Sequence, residues 1–306
     1  MSRSFDPVQL GSIEMFCKAA ELQGFTAAAQ ALGVTAAAVS RSVGRLEERL
    51  GAKLFTRTTR LMRLTEEGRA YFEQCRQALA QIENAERAIN GSQAEPAGLL
   101  RISMPTTYGH YRVLPILPQF MQRYPKIQVE VDLSNRNIDF VEEGYDLAIR
   151  GGTPTDSRLV ARTLEDASFG VFAAPQYLAR RGTPEKPEQL QDHDCVAFVL
   201  PSTGRGLPWV FRQQGQDLDM AVQSRVSMQG DVLGCLTHAV GGGGLLQAYH
   251  FVAQRYVESG SLVEVLQAFG GRSRPFSILY PQNRHLSAKV RAFVGFLLGK
   301  SAEPGA

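Results

Sequence analysis

Between Leu10 and Leu50 apolar side chains return at helical spacing in three short runs, and each run is halted by a glycine. Helices broken at such close intervals are too short to stand alone and must pack across one another. Leu10, Ile13, Phe16, Cys17 and Ala20 mark the first buried stripe, and Gly24 stands where a helix stop belongs. Thr26 is placed to cap a second helix through Leu32, whose alanines permit close backbone approach, and Gly33 breaks it. Thr35 then caps a third helix, in which Val39, Val43, Leu46 and Leu50 share the buried face before Gly51 stops it. Ser40, Arg41, Gly44, Arg45 and Glu48 fall on the opposite face. Two short helices with a tight turn, the second basic on its outer face, describe a helix-turn-helix.

The formal net charge of +3 over 306 residues says little until it is followed along the chain. The whole excess lies before residue 67; beyond it basic and acidic residues balance. Residues 35 to 63 hold Arg41, Arg45, Arg49, Lys53, Arg57, Arg60 and Arg63 against Glu47 and Glu48. Taken as charge alone, that cluster fits either a phosphate footprint or a solvated face of Glu/Arg pairs. Spacing favours the first, because a helix enters the major groove, where arginine bonds guanine O6 and N7 and small residues touch thymine methyls. Arg41 and Arg45 are the expected base readers. From Lys53 to Thr65 basic and β-prone residues alternate as in a short wing hairpin, so Lys53, Arg57 and Arg60 are expected on phosphates. For Arg49 and Arg63 a plain helix-end or surface role is equally open.

Residues 8 to 90 resemble the DNA-binding end of a LysR-type transcriptional regulator. The residues carrying the resemblance are Phe16, Gly24-Phe25-Thr26, Ala28-Ala29, Leu32, Val34-Thr35, Ala38-Val39-Ser40-Arg41, Leu46-Glu47-Glu48-Arg49-Leu50-Gly51, Leu54-Phe55-Thr56-Arg57 and Leu64-Thr65-Glu66-Glu67-Gly68. Where that family usually has a polar residue and proline at the start of its recognition helix, this chain has Ala36 and Ala37, a departure that bears on base preference. The resemblance implies DNA contacts from Thr26, Thr35, Ala36, Ala37, Ser40 and Arg41, with Arg57 in the wing on backbone or minor groove.

From Thr65, a natural N-cap followed by two glutamates suited to the positive helix end, one helix is expected to about residue 90. Phe72, Cys75, Leu79, Ile82, Glu86 and Ile89 recur alternately three and four residues apart, a heptad seam with one polar member. The pattern alone fits either a pairing helix or an amphipathic helix lying on its own domain. The resemblance implies pairing: a homodimer through this linker, assembled further as a dimer of dimers. Gly91 to Gly98 reads as a hinge.

Beyond Leu99 short apolar runs interleave with helical ones. Strands are expected at Leu99–Met104, Ile127–Leu133, Asp146–Arg150, Ser168–Ala174, Val196–Leu200, Trp209–Arg212, Met220–Met228, Leu245–Ala248 and Phe276–Tyr280. Helices are expected at Thr106–Tyr124, Asn137–Glu143 and Asp231–Val240, with a closing one through Leu286, Val290, Phe293, Val294 and Leu297. The repeated βαβ order argues for a mainly parallel sheet with helices on both faces. In such sheets ligands bind beyond the strand ends and at helix N-termini. Three places qualify: Thr106 and Thr107 after the first strand, Ser134, Asn135 and Arg136 after the second, and Arg150 and Gly151 after the third. Ordinary capping by Thr106 and Asn135 explains each separately. The resemblance implies a sensor of two lobes, similar to periplasmic binding proteins, holding a small effector in its cleft and joined by two crossing strands. Leu200, Pro201, Ser202 and Asp231 would face that cleft from the second lobe.

The implied organisation is an N-terminal all-α winged helix-turn-helix over 1–66, a linker helix over 67–91, a hinge over 92–98 and an α/β effector-binding domain over 99–306. Lobe I would comprise 99–168 and 272–300, and lobe II 169–271. Its implied partners are double-stranded promoter DNA, an anionic or aromatic effector and RNA polymerase.

Other chemistries find little footing. Cys17, Cys75, Cys195 and Cys235 are far apart with no C-x-x-C pair, so neither a disulfide framework nor a cysteine metal site is expected. The five histidines show no ligand spacing, no G-x-S-x-G is present, and Gly241 to Gly244 lies after a helix rather than between strand and helix as a phosphate loop must. No catalytic residue, metal or cofactor is therefore assigned. No apolar run approaches the roughly 18 residues of a membrane span, and a cytoplasmic protein is expected. An architectural DNA-binding protein with an unused cleft and, less favoured, a DNA-tethered enzyme remain the alternative readings.

Overall fold

The computed structural model describes residues 7–57, 62–89, 95–140, 143–154, 156–201, 203–282 and 286–301. The chain divides into two compact units, Met1–Ala94 and Glu95–Ala306.

The first unit runs α1 (Pro7–Glu21), α2 (Phe25–Leu32), α3 (Ala36–Leu50), an antiparallel hairpin of β1 (Phe55–Arg57) and β2 (Met62–Leu64), then α4 (Glu66–Ile89). Phe16 is fully buried at its centre, with ring centroids of Phe55 and Tyr71 at 5.4 and 5.6 Å. Val39, Val43 and Leu46 are buried on α3 as their spacing predicts, whereas Leu50 is exposed and the buried Leu54 closes the core just past the helix end. Thr35 Oγ1 accepts the Ala38 N–H at 3.2 Å, and Gly51 takes the left-handed conformation (φ 66°) that ends α3. The cap expected at Thr26 lies earlier: Gly24 is the N-cap, and α2 begins at Phe25. Phe25 packs edge-on against Phe55 at 5.7 Å, so burial of its ring sets the helix start.

Thr65 Oγ1 caps α4 by accepting the Gly68 N–H at 2.9 Å and donates to the Lys53 carbonyl at 2.6 Å. The heptad seam divides along this helix. Phe72, Cys75 and Leu79 pack into the unit's own core, while Ile82 is exposed; the side chains of Glu86 and Ile89 lie outside the described residues.

The second unit is built on a seven-stranded sheet. Its elements run β3 (Gly98–Met104), α5 (Thr106–Tyr108), a π-helical turn (Gly109–Val113), α6 (Leu117–Arg123), β4 (Ile127–Leu133), β5 (Leu147–Gly151) and β6 (Leu159–Ala173). There follow α7 (Pro175–Arg181), β7 (Val196–Val199), the hairpin β8 (Trp209–Gln213) and β9 (Gln216–Met220), β10 (Val226–Gln229) and α8 (Val232–Val240). The last are β11 (Leu246–Tyr249), α9 (His250–Glu258), β12 (Val263–Val265), β13 (Ser273–Pro281) and α10 (Ala288–Ser301).

The strand order is β11-β6-β13-β5-β3-β4, with β12 also on β6. Only β3 with β4 and β3 with β5 run parallel; every pairing of β6 and β13 is antiparallel, so the expected mainly parallel sheet is mixed. The reason is β6 itself. Over Leu159–Ser168 it pairs with β13 in the first lobe, and over Phe169–Ala173 with β11 and β12 in the second.

Three local expectations also change. The helix expected over Thr106–Tyr124 is divided into three pieces: Gly109 begins the π-helical turn, Pro115 lies between that turn and α6, and Pro118 falls in the first turn of α6, where its missing N–H is not needed. Asn137–Glu143 is not helical in its described residues; Glu143 folds back to accept the Asp139 N–H at 2.9 Å and Gly144 turns left-handed. Met220–Met228 is two strands, β9 ending a two-residue hairpin whose Gln214 and Gly215 both have positive φ. The helix α9 carried no expectation.

Candidate DNA interface and effector cleft

On α3 the outward face is populated as its spacing required. Arg41 and Arg45 are exposed, one turn apart on either side of Gly44, and neither makes an ion pair or side-chain hydrogen bond among the described residues. A Cβ built on Gly44 meets nothing within 4 Å, so that face is open. Thr35 and Ala37 are exposed beside it, Ala36 and Ser40 half-buried, and Thr26 exposed on α2. The inner face is anchored by a buried hydrogen bond of 2.8 Å from Ser42 Oγ to Ser12 Oγ, which fixes the rotation of α3 against α1.

The wing is positioned by Glu47, only 3% exposed. Its Oε1 accepts the N–H groups of Leu54 (2.9 Å) and Phe55 (3.3 Å), and its Oε2 takes Lys53 Nζ at 2.8 Å. Burial alone would raise this carboxyl; the Lys53 ammonium and the two backbone donors outweigh it and hold Glu47 below its ordinary value. Lys53 therefore has a structural partner as well as an exposed ammonium stem. Arg57 ends β1 and its side chain lies outside the described residues, as does all of Arg60.

In the second unit the expected cleft residues separate into two groups. The first converges: Asn135 Nδ2 donates to the Gly230 carbonyl at 3.1 Å and lies 3.4 Å from Thr106 Oγ1. Next to Gly230, Asp231 caps α8 by accepting the Leu233 N–H at 2.9 Å, and α5, carrying the buried Thr107, packs against α8. Thr106, Asn135 and the Gly230-Asp231 corner thus meet where the first lobe faces the second.

The other group is committed elsewhere. Arg150 donates to Ser103 Oγ (2.8 Å) and to the carbonyls of Ile149 (2.7 Å) and Arg136 (3.0 Å), and burial pushes its guanidinium down to about 10. Arg136 grips the Glu143 carboxylate with both terminal nitrogens. These contacts tie down the loop that carries Ser134 and Asn135. A Cβ added at Gly151 would lie 3.2 Å from the Phe276 ring, Leu200 is half-buried, Pro201 is exposed, and Ser202 lies outside the described residues. A separate groove of about 650 Å³ is lined by Arg180, Arg181, His193, Asp194 and Arg225 among others, away from these residues. Its arginines are held by carbonyls of Gly242 and Asp192 or face Asp194.

Sequence reasoning missed a second meeting of the lobes. The π-helical turn presents Arg112, whose guanidinium lies 4.6 Å from the Phe251 ring centroid and bonds Glu165 at 2.9 Å, while Arg255 lies over Tyr111 at 5.2 Å. No periodicity marks such a contact between distant segments. Also unmarked is a chain in which Ser168 Oγ lies 2.9 Å from His250 Nδ1 and His250 Nε2 lies 2.8 Å from Glu264. A serine nucleophile needs N–H donors aimed at the developing oxyanion. The next N–H, that of Phe169, is bonded to the Arg272 carbonyl at 3.0 Å, so the chain reads as a tie between β6, α9 and β12. Among the described residues no cluster of three or more His, Cys, Asp or Glu is arranged for a metal ion, and no helix is long and apolar enough to cross a membrane.

Comparison with known proteins matches both units. Residues 10–69 fit the family model of the bacterial regulatory helix-turn-helix protein, lysR family, and residues 93–302 that of the LysR substrate binding domain. The chain is 35% identical over 297 residues to an HTH-type transcriptional repressor of Pseudomonas aeruginosa, covering 96% of this chain and 93% of the other. It is 32% identical over 288 residues to the HTH-type transcriptional regulator CrgA of Neisseria meningitidis serogroup B, covering 94% and 95%. Among solved structures, CrgA from Neisseria meningitidis superposes with a TM-score of 0.63 at 29% identity, covering 99% of this chain and 100% of that one. Full-length AphB of Vibrio cholerae, a virulence activator, superposes with a TM-score of 0.61 at 26% identity, covering 95% and 98%.

Proposed function

The chain belongs to the LysR family of bacterial transcriptional regulators, with a helix-turn-helix DNA-binding domain and an effector-binding domain, and from that membership we propose how its residues divide the work. Arg41 and Arg45 read base edges from α3, with Thr26, Thr35, Ala36, Ala37 and Ser40 in contact around them. Lys53, Arg57 and Arg60 bind phosphates and set the register. The observation that carries this reading is the open outer face of α3, where two guanidiniums flank Gly44 without partners among the described residues.

Two recognition helices are presented to a dyad by pairing of the distal part of α4, beyond Leu79, where the seam leaves its own core. The effector lies at the meeting of Thr106, Thr107, Ser134, Asn135 and Asp231, with lobe I formed by 99–168 and 272–300 and lobe II by 169–271. An effector that prefers one lobe arrangement shifts the population toward it and changes the geometry of the paired DNA-binding domains, DNA bending and the approach of RNA polymerase. A promoter target implies work in the bacterial cytoplasm.

Footprinting on DNA flanking the protein's own gene, repeated with a panel of carboxylate and aromatic metabolites, tests this reading. A dyad site whose footprint shifts with one compound is the expected result. Uniform, salt-sensitive coating of any duplex, unmoved by every compound, would replace it with an architectural role.

A further inference from the structure

The first turn of α3 carries three alanines in succession, Ala36, Ala37 and Ala38, after the cap Thr35. Their methyl groups do not share one environment. Ala36 packs against the core of the first unit and Ala38 is half-buried, whereas Ala37 is exposed. Four and eight residues further on, Arg41 and Arg45 are exposed as well, so Ala37 heads the same outward face. Val34 is 37% exposed just before the helix, but it stands at the hydrophobic-staple position relative to the buried Val39 and belongs to the helix entry rather than to that face.

The tip of this face is poor in polar groups. Thr35 Oγ1 accepts the Ala38 N–H at 3.2 Å, so the oxygen of the cap is turned back on its own helix. No acidic residue stands in the first turn, where a carboxylate would suit the positive helix end but repel a phosphate backbone. What Ala37 presents is a single methyl group that neither donates nor accepts a hydrogen bond. Such a side chain is short, and its Cβ comes within about 4 Å of another apolar group only if the helix backbone itself lies close to that group. Gly44, on the same side of α3 seven residues on, permits the approach, since a Cβ there meets nothing within 4 Å. The buried bond from Ser42 Oγ to Ser12 Oγ holds α3 in that rotation.

We propose that Ala37 is a specificity-determining residue that reads the 5-methyl group of a thymine in each half-site. The inference rests on α3 being the recognition helix. Helices of this kind meet base edges with their N-terminal residues, and among the four bases thymine alone presents an apolar group in the major groove. Arg41, one turn further on, reads a guanine by hydrogen bonds; Ala37 reads its neighbour by shape. Because alanine has no polar atom in its side chain, the contact separates a 5-methylpyrimidine from an unmethylated one and is blind to the group at C4. Thymine and 5-methylcytosine both carry that chemistry, and thymine is its source in unmodified DNA.

The test uses the full-length protein and a labelled duplex that it selects from a random-sequence pool. Each thymine of that duplex is replaced in turn by deoxyuridine, which removes the methyl group and leaves base pairing intact. One thymine in each half-site should be sensitive, with about fourfold weaker binding when one half-site is changed, the equivalent of one buried methyl-sized group, and about fifteenfold when both are. Cytosine at the same position should also weaken binding, and 5-methylcytosine should recover about fourfold over cytosine. Ala37→Gly, its fold checked by thermal melting, should bind the thymine and deoxyuridine duplexes equally. Should glycine unsettle the helix end, Ala37→Ser, which sets a hydroxyl against the methyl group, should likewise lose the preference. Indifference to uracil at every thymine, an undiminished preference in the folded Ala37 variants, or 5-methylcytosine bound no better than cytosine overturns the proposal. A protein that selects no duplex at all faults the reading of α3 itself, a result distinct from a selected site indifferent to uracil.

Discussion

The carboxylate of Glu47, buried at the end of the recognition helix, accepts the backbone N–H of Leu54 at 2.9 Å and so joins that helix to the first strand of the wing. Glu47→Gln keeps the shape and removes the charge that Lys53 and the two N–H donors hold. We expect a loss of about 1–3 kcal/mol at neutral pH. Because the folded carboxyl is held below the ordinary 4.5, its contribution is complete above that value and is lost as pH falls through the lowered one. Urea denaturation of both proteins at neutral and acidic pH checks this: the difference between them must shrink in acid, and a constant difference would remove the charge from the explanation.

Arg41→Ala should weaken binding to the selected site by about 1–3 kcal/mol without changing stability, as loss of a bidentate base contact does. Arg57→Ala should weaken binding to every sequence alike and flatten the salt dependence by about one counterion. Titrations across a salt series on specific and scrambled duplexes separate the two; equal losses for Arg41→Ala on both duplexes would move it off the reading face.

Two glycines should answer oppositely to the same substitution. At Gly68 an added Cβ would lie 2.0 Å from the Leu54 carbonyl oxygen, whereas at Gly44 it meets nothing within 4 Å. Gly68→Ala should cost about 2–4 kcal/mol of stability, because backbone rather than a flexible side chain must yield. Gly44→Ala should leave stability equal or raise it by about 1 kcal/mol through helix propensity, while binding to the selected duplex falls. Thermal melts and duplex titrations on both variants check the contrast; undiminished binding by Gly44→Ala would show that DNA does not approach that face closely.

Asn135→Ala deletes the 3.1 Å bond to the Gly230 carbonyl. Amide exchange near the start of α8 should quicken by about three- to tenfold, the equivalent of one net hydrogen bond. If exchange there is unchanged while the loop before β5 loosens, Asn135 serves its own lobe alone.

The parts of the molecule written in neighbouring residues were legible from them. Thr35, the Val39–Val43–Leu46 stripe and Gly51 delimit α3 by capping and periodicity, and Arg41 and Arg45 were found because an outward face at helical spacing needs no knowledge of the rest of the fold. What was not legible shares one origin, pairing between distant segments. Arg136 and Arg150 could be placed after β4 and β5, but not their partners Glu143, Ser103 and carbonyl groups. The antiparallel course of β13 along β6 joins residues such as Ser273 and Ser168, which no local pattern connects.

β6 gives the sensor a mechanical character. One unbroken strand belongs to the ladders of both lobes, hydrogen-bonded on each side of the point where it passes between them. The lobes are therefore tied through one continuous strand, and a change in their relative orientation must be taken up as twist in β6 where it passes from β13 to β11 and β12. That strand works as a torsion bar, and the register slip that sets Phe276 opposite Glu165 but Ser277 opposite Thr163 leaves Leu164 as an extra residue on β6, which adds bend and twist to its first-lobe half.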